Sequence, residues 1–350
     1  MIRFSKNSLI ILSIILLLSI ITMPLIQATT PSETENEEEP ILGAGALVDG
    51  TPISSEAAII MDFTTGLVIY EFNSDALRVP ASMTKMIAVY VVFDAIRDGL
   101  VTLDTVMEFS EETSRFSFVR AYSNVPMPLE NSYTLRQLLD VVIVRSASAA
   151  TIALGEGIFG SEEELVAQMN RKVEELGIEA VFHDSWGGSP DNRISARGMA
   201  ELAGALIKEY PEVLQFTSQK TVFFDEIEYG STNLLLSNYE GVDGFKTGFT
   251  NPAGWCFTAT AMLEERRLIS VTMGSIQGYR FPDSVILLDH GFENYNITVA
   301  EHFRGSLHAL DTLYTIGPPL IPLKSFYLDE ARALGMRDLA LILNYTEKRD

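Results

Sequence analysis

The stretch "RVPASMTKMIAVYVVFDAIRDGL", residues 78–100, decides the reading of the fold. It begins with Pro80 among polar residues and ends at Gly99, and what lies between is too apolar for a surface helix. Met86 to Phe93 is apolar on every face, which predicts a helix through the centre of a domain, stopped by Gly99. Ser82 and Lys85 stand three residues apart at its first turn, and so on one face. Unpaired backbone N–H groups at a helix start favour developing negative charge. A lysine desolvated there, near a second cation, loses its proton more easily. It can then take the proton of Ser82, which makes the two a candidate nucleophile and base.

Outward from that helix the chain alternates its texture. "AAIIMDFTTGLVIYEF" (57–72) is two β-rich runs around a turn, a hairpin signal. "TLRQLLDVVIV" (134–144) predicts a helix halting at "RSASAA". Ser161 with Glu164 offers a capping box for the next helix, and Ser195 caps another that ends before Pro211. After about residue 220, "GVDGFKTGFT", "GWCFTATAM" and "RLISVTMGS" read as antiparallel strands. Strands at both ends with helices between them predict an α+β fold: one antiparallel sheet flanked by helices.

Composition narrows the function. The 350 residues carry a net charge of -22, which argues against nucleic acid as a partner. The single cysteine, Cys256, excludes an internal disulfide framework and reads as a small buried strand residue. None of His183, His290, His302 and His308 sits in a metal-ligand pattern, so no zinc site is expected; the Ser82 and Lys85 chemistry needs no metal and no organic cofactor. Residues 1–28 place Arg3 and Lys6 before a long apolar run and the small Ala28, the order of a signal peptide or an N-terminal anchor. Residues 29–50 read as an acidic linker and 51–295 as the main domain. Residues 296–350 form a proline-broken appendage with too little chain for an independent core of ordinary stability.

A second motif, Lys246-Thr247-Gly248, offers a cation and a hydroxyl for a carboxylate, and a glycine against which an extended peptide can lie. Together with Ser82-x-x-Lys85 it resembles the active-site serine penicillin-recognising enzymes. "AAIIMDFTTGLVIYEFNSDALRVPASMTK", "GSEEELVAQMNRKVEELGI" and "VDGFKTGFTNPAGWCFTATAM" are similar to the serine D-alanyl-D-alanine carboxypeptidases among low-molecular-weight penicillin-binding proteins, from about Ala57 to Tyr295. The resemblance implies the serine β-lactamase/transpeptidase-like fold and extracytoplasmic action, secreted or membrane-tethered, on peptidoglycan stem peptides, with β-lactams as covalent inhibitors. It implies Ser82 as nucleophile, Lys85 as general base, and Lys246 and Thr247 holding the substrate carboxylate. Arg280 would help bind that carboxylate, and the backbone N–H groups of Ser82 and Phe249 would form the oxyanion hole.

The middle motif departs from the family's Ser-x-Asn. Ser146 matches its serine, the implied proton relay, but Ser148 stands where asparagine is expected. A serine is shorter and has no amide, so a water is expected to fill the gap. That replacement opens an alternative: a catalytically impaired peptidoglycan-binding protein of the same fold. A class A β-lactamase is excluded, because the nearest candidate for its Glu-x-x-x-Asn loop, Glu179, is followed by His183. In the tail, "MRDLALILN" is similar to part of the stalk-type repeats of some bacterial surface proteins.

Overall fold

The structure is a computed structural model and describes residues 46–295. The expected signal or anchor, most of the acidic linker and the C-terminal appendage lie outside the described residues. The expected end of the linker at residue 50 falls inside folded chain. Leu47–Val48 pairs with Thr51–Pro52, and Ala46 and Val48 are buried.

One antiparallel sheet organises the body. Its strands are β1 (Ala57–Asp62), β2 (Val68–Phe72), β3 (Val242–Thr250), β4 (Gly254–Leu263) and β5 (Arg266–Ser275), in the spatial order β3-β4-β5-β1-β2. The first and last strands of this sheet in sequence order therefore meet where β1 pairs with β5. The β1–β2 turn forms because the Asp62 carboxylate accepts from Thr65 N at 2.7 Å and Thr65 Oγ1 at 2.6 Å. Gly66 then supplies the positive φ, +72°, that the turn needs.

Strand β1 is buried along its whole length because both sheet faces are covered. Ile59 and Met61 face the main core, whereas Ala58 and Ile60 face a second core with Leu287 and Leu288 from the helical residues 280–295. The long helices are α1 (Lys85–Arg97), α2 (Leu135–Val144), α3 (Ser148–Phe159), α4 (Glu162–Glu175) and α5 (Ala196–Glu209). Their starts follow the local chemistry. Thr134 and Gln137 close a capping box, and the hydroxyls of Ser161 and Ser195 accept from Glu164 N and Gly198 N.

Helix α1 is the central element, with every residue from Lys85 to Phe93 buried. Its far end is tied to α4 and α5 by polar contacts. Tyr90 Oη donates to Glu209 at 2.6 Å, Tyr210 Oη donates to Asp94 at 2.6 Å, and Lys172 Nζ lies 2.7 Å from Asp94. Asp94→Ala leaves Tyr210 and Lys172 only longer contacts, to Glu209 and Glu175, each at 3.2 Å. The variant is expected to lose about 2 kcal/mol of unfolding free energy, the worth of hydrogen bonds to a charged group. Urea denaturation measures it, and an unchanged midpoint would contradict the role given to this network.

Candidate active site

The chain enters α1 through a 3-10 turn, Ala81–Thr84. In a 3-10 turn residues i and i+3 eclipse one another. That alignment brings Lys85 Nζ to 3.1 Å from Ser82 Oγ. Ser82 is half-buried at the surface of the cleft, whereas Lys85 is fully buried. The lysine amine also donates to the Trp186 carbonyl at 2.6 Å and lies 3.3 Å from Ser148 Oγ. Burial pulls its pKa down from 10.5 to about 7, against the opposing pull of the Asp184 and Glu162 carboxylates.

The middle motif differs from the sequence expectation. Ser148 is the first residue of α3, and two N–H groups of that first turn are taken up by the loop that precedes α2. Ser148 N donates to the Ser123 carbonyl at 2.8 Å, and Ala149 N to Asn124 Oδ1 at 2.9 Å. So placed, Ser148 reaches Lys85 directly, and the expected water-filled gap is closed by the short side chain itself. Ser146 sits in a left-handed turn, φ +64°. Its Oγ is buried and has no hydrogen-bond partner among the described residues. Of the two serines, it is Ser148 that the structure joins to Lys85.

Strand β3 forms the facing wall. Lys246 is buried, and Nζ donates to the Thr247 carbonyl at 3.1 Å. Burial, and then the Lys85 and Arg280 charges, hold its pKa well below the usual lysine value. Thr247 Oγ1 donates to Thr232 Oγ1 at 2.9 Å. Gly248 permits the close approach of β3 to the Ser82 turn, since a Cβ there would stand 2.6 Å from the Pro80 carbonyl. Arg280 donates to the Gly248 carbonyl at 3.4 Å and lies 4.7 Å from the Trp255 ring. Burial lowers its pKa to about 10. The Phe249 side chain is exposed, its ring 4.4 Å from that of Trp255.

These walls enclose a cleft of about 310 Å³, bordered by Ser82, Ser146, Ser148, Thr247, Gly248, Phe249 and Arg280. The two lysines instead border a void of about 10 Å³ with apolar walls. A void that small needs several polar partners to hold a water. Its lining therefore keeps both amines desolvated.

Sequence reasoning missed the segment that closes the lysine in. The Asp184 carboxylate accepts from Gly187 N at 2.8 Å, Ser189 N at 2.5 Å and Asn192 Nδ2 at 2.9 Å, and so shapes the turn that aims the Trp186 carbonyl at Lys85. The available signal was "DSWGG", an aspartate turn followed by two glycines. Gly187 adopts φ +89°, and a Cβ there would stand 2.0 Å from the Ala81 carbonyl. Gly187→Ala must displace the Ser82 turn. It is expected to slow covalent labelling of Ser82 by fluorescent penicillin about a hundredfold, the usual cost of a misplacement near 1 Å. An unchanged labelling rate would contradict this close contact.

Comparison with known proteins bears on the same residues. The family model for D-alanyl-D-alanine carboxypeptidases matches residues 45–277. D-alanyl-D-alanine carboxypeptidase DacF of Bacillus subtilis is 31% identical over 249 residues, which cover 69% of this chain and 63% of the relative. The chain thus spans just under two thirds of that relative's length. Penicillin binding protein 5 from Haemophilus influenzae superposes with a TM-score of 0.66 at 32% identity, covering 69% of this chain and 71% of the other. Penicillin-binding protein D2 from Listeria monocytogenes, solved in an ampicillin-bound form, gives a TM-score of 0.61 at 28% identity, covering 69% and 98%. With the family model spanning the whole sheet and every cleft residue named above except Arg280, the chain belongs to the D-alanyl-D-alanine carboxypeptidase family.

Proposed function

We propose that this protein is a serine-type D-alanyl-D-alanine carboxypeptidase that removes the terminal D-alanine from peptidoglycan stem peptides and is acylated by β-lactams. The observation that carries the reading is the buried Lys85 amine, 3.1 Å from Ser82 Oγ with its pKa near 7. A neutral amine at that distance can accept the serine proton as the hydroxyl oxygen attacks the peptide carbonyl. Thr247 and Arg280, which border the cleft, supply a hydroxyl and a positive charge for the substrate's terminal carboxylate; Lys246, expected from the sequence to join them, is buried against the small void instead. Backbone N–H groups of Ser82 and Phe249 would hold the oxyanion, each worth roughly 3–4 kcal/mol in comparable sites. A hydroxyl of the middle motif, Ser146 or Ser148, would return the proton to the leaving amine. The contact between Lys85 and Ser148 supports this catalytic reading over a binding-only one.

Ampicillin-bound and cefotaxime-bound forms of the Listeria relative support β-lactams as ligands of this protein. Substrates of this class lie outside the cytoplasm, which agrees with residues 1–28 acting as a signal peptide or anchor. Among the described residues no helix is long and apolar enough to cross a membrane.

Fluorescent penicillin should label the purified protein at one site, read by intact mass, and Ser82→Ala should abolish the label. A folded wild-type protein that takes no label and releases no D-alanine would overturn the proposal. The pH dependence has a definite sign, because only neutral Lys85 can accept a proton. With a pKa near 7, the neutral fraction rises from about one tenth at pH 6 to about nine tenths at pH 8. The acylation rate is therefore expected to rise about tenfold across that interval and then flatten. A rate that falls with rising pH would contradict Lys85 as base.

A further inference from the structure

We infer that Ser148, and not Ser146, carries the proton from Lys85 to the departing nitrogen. This rests on the carboxypeptidase reading above and assigns to Ser148 a role beyond filling an asparagine's place. Two observations point to it. Lys85 Nζ stands between two hydroxyls, Ser82 Oγ at 3.1 Å and Ser148 Oγ at 3.3 Å, with its third contact fixed on the Trp186 carbonyl at 2.6 Å. Ser146 Oγ, buried and bordering the same cleft, is bonded to nothing among the described residues.

The valences of the groups fit a relay. A neutral amine has two N–H donors and one lone pair. The Trp186 carbonyl can only accept, so it takes one N–H. The remaining N–H and the lone pair are left for the two hydroxyls. Ser82 gives its proton to the lone pair, and the other N–H points to Ser148 Oγ. Ser148 then keeps its own O–H free of Lys85, and Ser148 borders the cleft in which the departing nitrogen would lie. An asparagine there could hold the lysine through its amide oxygen, but an amide does not pass a proton on in this way. A serine does both.

Ser82 Oγ bonds to the peptide carbonyl carbon while its proton goes to Lys85 Nζ. As the tetrahedral intermediate collapses, the C–N bond breaks and its electron pair stays on nitrogen. That nitrogen takes the hydroxyl proton of Ser148, and Ser148 Oγ takes a proton from the Lys85 ammonium. The products are acyl-Ser82, a free amine, neutral Lys85 and an intact Ser148 hydroxyl. The Ser123 carbonyl and Asn124 Oδ1, accepting from Ser148 N and Ala149 N, hold the start of α3 so that this wire stays aligned.

The test separates proton relay from simple packing through the leaving group. An amide nitrogen must be protonated to leave, whereas a thiolate leaves as the anion. The full-length protein, Ser148→Ala, Ser148→Asn and Ser146→Ala are compared on a D-alanyl-D-alanine peptide and on a thioester acyl donor with the same acyl group. Circular dichroism melts establish that each variant is folded. Both Ser148 variants are expected to slow amide cleavage about a hundredfold to ten-thousandfold, the usual range for a lost general acid. They should slow thioester acylation at least tenfold less than amide cleavage. Ser146→Ala is expected to affect the two donors alike. The inference is overturned if the amide-selective loss appears in Ser146→Ala, or if the Ser148 variants lose both donors equally. A wild-type protein inert toward both donors would instead sink the carboxypeptidase reading, a result distinguishable from either of these.

Discussion

A lysine amine buried among apolar side chains is the constraint from which the rest of this structure follows. Lys85 is fully buried, and the helix that carries it runs through the domain centre. Desolvation of that kind penalises the charged form, so the pKa of the amine falls from 10.5 to about 7. Such a group is stable only if its remaining hydrogen-bonding capacity is met, and each of its three contacts comes from a different part of the chain. The site is therefore the place where α1, the start of α3 and the "DSWGG" turn are held to one geometry.

That geometry depends on backbones coming unusually close. Gly187 packs on Ala81 and Gly248 on Pro80, so the turn bearing Ser82 is clasped between a loop and a sheet edge with no room for a side chain on either side. Ala81 itself takes a positive φ, +49°, and Ser146 another, +64°. Residues other than glycine rarely adopt such angles, at a cost of about 1–2 kcal/mol each. Both stand next to the reactive groups, where surrounding contacts must hold them.

Much of this was legible in the sequence because its determinants are local. The continuous apolar run from Met86 to Phe93 could only be a central helix, and a spacing of three residues sufficed to pair Ser82 with Lys85. The strand pattern around Lys246-Thr247-Gly248 likewise gave the facing wall. The contribution of Trp186 was not legible, because it acts through a backbone carbonyl 101 residues from Lys85. No side-chain pattern announces a carbonyl. Ser148 was read as too short because a residue's reach was judged from its type. The loop bonds that bring the start of α3 to Lys85 are long-range facts that no local window contains. The 3-10 turn at Ala81–Thr84 was also read as plain helix, yet it is this tighter winding that aligns the hydroxyl with the amine.

The mechanism turns on the protonation state of one amine, and a direct titration tests it. Selective isotopic labelling of lysine, with Lys85→Arg to assign the resonance, allows the Lys85 side chain to be followed by NMR from pH 5 to 11. A midpoint near 7 is expected, well apart from the surface lysines. A midpoint above 10, with the surface lysines, would mean that Lys85 stays charged beside Ser82, and the neutral base on which the mechanism depends would not exist.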